Sequence, residues 1–549
     1  MRMSTTISIS DFKIFRKDNY YYVDKTLLIE ELFTKGDQVI LLPRPRRFGK
    51  TLNLSMLKYY FDIREDNKNL FKGLKIENNE IFEKYLNKYP VISLTFKDVK
   101  GLTWDEDYMK LKNEIRREYR EHKYLLNSYK LEERDKNYFN KVLDEGNIDY
   151  SVSILELSRL LYEHHNKEVV ILLDEYDTPV NKLLDDDHYK HIISFLRNMI
   201  GSTFKGNNYL FKGIITGILR IAKESIFSGA NNILVQTILS NDFSDKFGFI
   251  DSEVIEILKY YGLEDKIEKI REWYNGYKFG NDIIYNPYSI ISYIQNSENE
   301  LKGYWVNTGA ENLLIKNLLT NSSNKIKEKL EELIKGNNIE ETIEENIVFD
   351  QLDKPRYLWS LFLFSGYLKA IKQNESKYIL TIPNKEVKNL YVKIVEDYVE
   401  QTINNFTDMI KAILNEDVEA FKNLFVKGVK ESLSYYDMGD ETENTYHVFV
   451  LGILQALKGN YEVISNRESG YGRYDICLIP FNKNKTGYII EFKDAYEKDK
   501  KECAEDAIRQ IEDKSYATEL VSKGIKDIIA LVIAFKGKEV YLIHKNLTS

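Results

Sequence analysis

Gln38–Leu42 (QVILL), Val91–Phe96 (VISLTF), Glu168–Asp177 (EVVILLDEYD) and Tyr209–Leu219 (YLFKGIITGIL) are short apolar runs, rich in β-branched residues. Much longer polar stretches with helical spacing separate them. A strand buried on both faces reads as a continuous apolar run, and a parallel neighbour requires a crossover of a dozen or more residues, usually a helix. The pattern therefore predicts an α/β domain with a parallel sheet over residues 1–245.

The periodicity then changes. DSEVIEILKYYGL (251–263) and ENLLIKNLLT (311–320) repeat apolar residues at three and four, so 246–411 is expected to be mostly helical, interrupted by the turn-rich YNGYKFGNDIIYNPYS (274–289). From 412 to 549 the reading is a helix at 446–457, three strands (YEVISNRES, YDICLIP, GYIIEFK), a helix around 502–521, and strands in IALVIAFKGKEVYLI. That is a second α/β domain with its own core. Three domains suit 549 residues at roughly 100–200 residues each.

The charge balance constrains partners. A net charge of −8 makes the chain a poor non-specific polyanion binder, so any contact with nucleic acid must run through local basic patches. Two cysteines exclude a disulfide scaffold and a Cys-rich zinc site. The start of the chain lacks a secretory apolar core and no run reaches the length of a membrane span. The expectation is a cytoplasmic protein without a membrane partner.

Residues 41–51, LLPRPRRFGKT, end as a phosphate-binding loop ends, in Gly49-Lys50-Thr51. Such a loop needs a strand before it and a helix after it. Backbone N–H groups then wrap the phosphates, the lysine reaches the terminal ones and the hydroxyl holds Mg²⁺. QVILL supplies the strand and TLNLSMLKYYF the helix. Arg44 stands where the first glycine belongs; with Arg46 and Arg47 it would add positive charge near the phosphates. An incidental basic turn is the competing reading. Asp174-Glu175 favour the nucleotide site: in P-loop ATPases a strand ends on an acidic residue that holds the metal's water shell, and a following glutamate polarises the attacking water. Thr216, at the end of the fourth run, and Arg220 just beyond it are candidates for sensing the γ-phosphate; an ordinary strand end is the alternative.

Near the other end, Asp475 lies on one apolar strand and Glu491 and Lys493 on the next. Residues two apart on a strand share a face, so Glu491 and Lys493 project together, within reach of Asp475. Two carboxylates for Mg²⁺ and an amine beside a water are equipment for phosphodiester hydrolysis. A structural salt bridge is the other reading. The helix that follows carries Gln510 and Tyr516; the preceding helix offers Glu443, a further candidate metal ligand, and His447 on the same face.

These stretches, with YYVDKTLLIEEL (21–32), RPRRFGKTLNLSML (44–57), VVILLDEYDTPV (169–180), WYNGYKFG (273–280), YWVNTG (304–309), FSGYL (364–368) and IPNKEV (382–387), resemble bacterial proteins that join an AAA-ATPase-like domain to a C-terminal PD-(D/E)XK nuclease domain. The resemblance implies a P-loop NTPase fold in front and a restriction-endonuclease-like core behind. It also implies ATP and Mg²⁺ (or Mn²⁺) as cofactors and nucleic acid, DNA favoured, as partner, with homo-oligomerisation left open. It makes Arg44 a trait of the loop and carries over Asp475, Glu491, Lys493 and Gln510 as the nuclease residues. It gives no role to Val23-Asp24-Lys25-Thr26, whose acidic and basic pair would at least cap a helix. A nucleotide switch or assembly protein that binds nucleic acid without cutting it is the second functional reading.

Overall fold

The computed structural model describes residues 3–180, 186–220, 226, 232–296, 298–306, 324–346, 354–402, 405–432, 452, 456–457, 459–469, 472–495, 499–513, 517–536 and 539–547. The chain forms two compact units, one from 1–308 with 340–387, the other from 309–339 with 388–549.

The first unit is built on strands β1 (Val39–Pro43), β2 (Val91–Thr95), β3 (Val169–Asp174), β4 (Leu210–Gly217) and β5 (Ile233–Val235). All pair in parallel, in the order β5-β1-β4-β3-β2. Every residue of β1 and β3 is buried, which is why these strands read as unbroken apolar runs. Helix α1 (Leu27–Thr34) precedes β1, and α2 (Lys50–Phe61), α3 (Trp104–Glu121), α4 (Ser153–His165) and α5 (Asp186–Phe204) make the connections among β1 to β4. Leu111, Ile115, Leu157, Leu161, Leu196 and Met199 from three of them close one apolar core with Ile92, Leu94, Ile171 and Leu173.

The middle of the chain begins with α6 (Asp251–Tyr261), α7 (Ile267–Tyr274), the hairpin β6 (Tyr277–Phe279) and β7 (Asp282–Ile284), and α8 (Pro287–Gln295). These share a core, Val254, Ile257, Ile270, Tyr274 and Ile290, against which Ile7, Tyr21 and Val23 pack. The 23–26 stretch joins its neighbours by polar contacts. Asp24 accepts from the Thr26 N–H (2.9 Å) and hydroxyl (2.6 Å) and from Lys75 N (2.6 Å), shaping the turn into α1. Lys25 donates to Glu253 at 2.6 Å and to the Asp245 carbonyl at 2.8 Å. Further on come β8 (Ile339–Thr342), α9 (Pro355–Phe364), β9 (Lys369–Lys372) and β10 (Lys377–Thr381), then α10 (Lys385–Thr402).

Glu386 opens α10 fully buried, accepting from Ser289 Oγ and from Trp305 N, both at 2.7 Å. Burial pushes its carboxyl up to about 7, against the pull of Ser289 and of the N–H groups of residues 304–306. A carboxyl raised in the folded state contributes stability that is complete below its ordinary value of 4.5 and is lost as pH rises through about 7. Glu386→Gln removes that titration. The thermal midpoint of the unaltered chain is expected to fall relative to the variant's between pH 5 and 7.5, by about 2–3 kcal/mol of stability across the window. A constant difference between the two curves would exclude this assignment.

The second unit has helices α11 (Phe406–Leu414) and α12 (Val418–Ser432), then β11 (Tyr461–Ser469), β12 (Gly472–Pro480), β13 (Gly487–Asp494), α13 (Lys500–Asp513), β14 (Ile528–Lys536) and β15 (Glu539–Asn546). The sheet runs in that strand order, with β13 and β14 parallel and the other neighbours antiparallel. Its parallel pair is linked by α13, as a crossover requires. One sheet face, through Cys477, Ile489, Ala530 and Val532, packs on Ala504, Ala507, Ile508 and Ile511 of α13. On the other face Phe535 meets Phe425 of α12, and the Tyr488 hydroxyl donates to the Ile413 carbonyl of α11.

Candidate functional site

β4 lies between β1 and β3, so the ends of all three strands meet. β1 runs directly into the loop 44–49, and α2 starts at Lys50 behind Gly49, whose φ of 85° is the left-handed conformation glycine adopts freely. Arg47 shares that region at φ 67°; the position occupied by Arg44 does not require it. The absent first glycine is therefore no obstacle to the loop. The buried Lys50 ammonium donates to the Arg44 and Pro45 carbonyls, each at 2.9 Å. Burial lowers its pKa, with Glu175, Asp174 and Asp177 pulling the other way.

Asp174 ends β3 with its carboxylate almost fully buried. Thr51 Oγ1 donates to Oδ2 at 2.7 Å and Thr216 Oγ1 to Oδ1 at 2.5 Å. Burial raises its pKa; the two hydroxyls and Lys50 draw it back. Lys50, Thr51, Asp174 and Thr216 thus form one polar cluster at the C-terminal ends of the strands, where ligands bind in open α/β sheets. Glu175 follows at φ 51°, an uncommon conformation for a side chain of its kind, and accepts from Thr178 Oγ1 at 3.1 Å.

The three arginines of the loop separate. Arg47 is exposed, its guanidinium 4.8 Å from the Tyr288 ring centroid, and Arg46 is half-buried. Arg44 is fully buried and its guanidinium turns into the protein, donating to the carbonyls of Pro43, Gln236 and Phe243. Arg220 lies three residues past β4 and is half-buried.

Asp177 and Tyr176 are neighbours of this cluster that motif spacing does not single out. The Asp177 carboxylate accepts from Ile218 N (2.9 Å) and Leu219 N (2.8 Å), and Tyr176 donates to the Leu219 carbonyl (2.8 Å). The acidic turn after β3 is thereby fastened to the segment after β4. Gly217 permits this approach: a Cβ there would lie 2.6 Å from Asp177 and 2.8 Å from the Tyr176 ring. The signal available in the sequence was the second aspartate of DEYD, three residues after the first.

In the second unit the register pairs Ile476 with Ile490 and Cys477 with Ile489, so one further step sets Asp475 opposite Glu491. The ladder opens there, and the Asp475 carboxylate accepts from Phe492 N at 2.7 Å. Directly opposed residues on antiparallel strands share a face. Cys477 and Ile489 face α13, so Asp475, Glu491 and Lys493 project to that same side, beyond the apolar core. Glu491 is 2% exposed and Lys493 Nζ lies 2.5 Å from its Oε1. Gln510 is half-buried on α13, the helix that covers this face. Glu443, His447 and Tyr516 lie outside the described residues. Among the described residues no three His, Cys, Asp or Glu side chains gather as a metal site. The pair Asp475 and Glu491 offers hard carboxylate oxygens, the donor type that suits Mg²⁺ or Mn²⁺.

Residues 6–227 match the family described as "Predicted AAA-ATPase", and residues 441–545 match the PD-(D/E)XK nuclease superfamily. The chain carries an AAA-ATPase-like domain in front and a PD-(D/E)XK nuclease-like domain behind. The parallel sheet of the first unit and the mixed sheet of the second agree with these two folds. The chain is also similar to "Uncharacterized protein in vnfD 5'region" of Azotobacter chroococcum mcd 1, 25% identical over 540 residues and covering 95% of each chain. No solved structure matches. Among the described residues no helix is long and apolar enough to cross a membrane.

Proposed function

We propose that this protein is a cytoplasmic, ATP-binding and ATP-regulated nuclease that hydrolyses phosphodiester bonds in nucleic acid, DNA favoured, with Mg²⁺ as cofactor. Residues 1–245 form the nucleotide part, 246–411 the intervening part and 412–549 the cutting part. The observation that carries the reading is Asp475, Glu491 and Lys493 on one face of two adjoining strands, with Glu491 buried. Lys493 offsets part of the cost of burying that carboxylate, and a bound cation between the two carboxylates would offset more.

Asp475 and Glu491 would hold Mg²⁺, with Mn²⁺ able to replace it. The ion, when bound, lowers the pKa of a coordinated water and offsets charge on the phosphate. Lys493 orients the attacking water, and its exchangeable proton lies beside the Glu491 carboxylate. Gln510 lies on the helix covering that face, suited to hold substrate or water by its amide. In front, the loop N–H groups and Lys50 hold the ATP phosphates, Thr51 and Asp174 the associated Mg²⁺, and Glu175 orients water toward the γ-phosphate. Thr216 and Arg220 distinguish ATP from ADP.

The test is incubation of the purified chain with single- and double-stranded DNA and RNA, with Mg²⁺ or Mn²⁺, in the presence and absence of ATP. Cleavage is expected with either ion, none in EDTA, and a rate that changes with ATP. Binding of ATP without cleavage of any substrate under these conditions would replace this reading by that of a nucleotide switch.

A further inference from the structure

The side chain that replaces the first glycine of the loop makes a fully buried polar construction beside the nucleotide site. Arg44 Nη1 donates to the carbonyls of Pro43 (2.8 Å) and Gln236 (2.7 Å), and Nη2 to that of Phe243 (3.0 Å). The guanidinium carbon lies 5.1 Å from the Phe247 ring centroid and 5.6 Å from that of Phe279. Among the described residues these hydrogen bonds go to main-chain carbonyls, and burial lowers the guanidinium pKa to about 9, with the Glu31 carboxylate pulling the other way. A buried cation whose hydrogen bonds go to carbonyls, with Glu31 acting on it only through its charge, is expensive, and an apolar side chain among these rings would cost less. What the guanidinium alone supplies is a rigid planar fork that holds several carbonyls in fixed directions.

The main chain of the same residue shows what is held. Arg44 N donates to the Gly217 carbonyl at 2.9 Å, tying the loop to the end of β4. The carbonyls of Arg44 and Pro45 receive the Lys50 ammonium. The next layer is set from behind as well. Phe48 packs against Tyr277 and Phe279 with ring centroids 5.1 Å apart in each case, and Gly248 N donates to the Phe48 carbonyl at 3.1 Å. Pro45 lies against Gly366, where an added Cβ would sit 3.1 Å from the proline Cβ. Apart from Pro43 and Gly217, the residues that seat the loop thus come from 236–280 and 366, beyond the 6–227 segment that matches the ATPase family.

We infer that Arg44 is a positioning residue for the nucleotide site: its buried guanidinium, held in part by segments outside the matched ATPase region, sets the loop carbonyls that place Lys50 for the terminal phosphates. The inference rests on the reading that this loop takes ATP. It has a consequence opposite to the one motif matching gives. Arg44→Gly restores G-x-x-x-x-G-K-T, yet it should weaken ATP binding. Because Lys50 reaches the terminal phosphates, the loss should be larger for ATP than for ADP. A general loosening of the fold would lower both alike.

The experiment measures ATP and ADP affinities by calorimetry for the full chain, Arg44→Gly and Arg44→Met, below their unfolding midpoints. Methionine fills the same ring-lined space without the charge, so this variant serves if the glycine variant does not fold. At least tenfold weaker ATP binding is expected in either folded variant, with a smaller loss for ADP. Unchanged ATP affinity, or equal losses for ATP and ADP, would overturn the role of Arg44 while leaving the nucleotide site standing. An unaltered chain that binds no ATP would remove both.

Discussion

Glu491→Gln is expected to abolish Mg²⁺-dependent cleavage, lowering the rate by at least about 10²–10³-fold, the loss typical when a preorganised electrostatic contact at the reacting centre is removed. The substitution keeps volume and shape and deletes the negative charge. Glu491 is buried and lies against Lys493. Without the carboxylate the pair loses one of its two candidate metal ligands, and the ammonium loses the group that holds it. Stability should change little, because an amide avoids the cost of burying a charge and Lys493, about a third exposed, can turn its ammonium to water. Lys493→Met should also lose cleavage, while retaining affinity for Mn²⁺ measured by titration. The readout is cleavage of the best substrate from the nucleic-acid panel, beside a thermal melt for each variant. A folded Glu491→Gln protein that cuts at the unaltered rate would end the nuclease assignment for this site.

Lys50→Ala should weaken ATP binding by about 2–3 kcal/mol, or roughly 30–150-fold, the worth of a charge-assisted hydrogen bond in a desolvated site. The ammonium now rests on two carbonyls of its own loop, and burial lowers its pKa. Phosphate would supply the opposite charge that the loop itself does not. The fold should tolerate the change, since a costly buried cation is removed. Basal cleavage should persist, and the effect of ATP on it should vanish. Titration with a fluorescent nucleotide, paired with cleavage assays at saturating ATP for the unaltered chain, reads both. ATP affinity equal to the unaltered protein's would refute the assignment of this loop.

Much of the fold could be read from local pattern. The four apolar runs at the front became β1 to β4 within a few residues, because a strand buried on both faces leaves no other pattern. The short β5, three residues long, was not foreseen; so brief a run carries no periodicity. At the back, the period of two along GYIIEFK was enough to put Glu491 and Lys493 on one face. Of the helix foreseen around 502–521, the described residues hold Lys500–Asp513 and a short turn of helix at Thr518–Ser522.

Arg44 shows where local pattern stops. Its position in the loop suggested a cation facing phosphate, but its direction was settled by carbonyls about 190–200 residues away in the chain. The partners of Lys25 at 245 and 253, and of Glu386 at 289 and 305, are equally non-local.

The amino-acid sequence by itself determined which segments become strands and which side chains share a face, since both follow from backbone periodicity and burial over a few residues. Only the tertiary structure decided that β4 would enter between β1 and β3, bringing Thr216 to Asp174 and Thr51, and that Arg44 would turn inward. Strand order and the pairing of buried charges depend on packing and desolvation between distant segments, and those energies exist only once the chain has closed on itself.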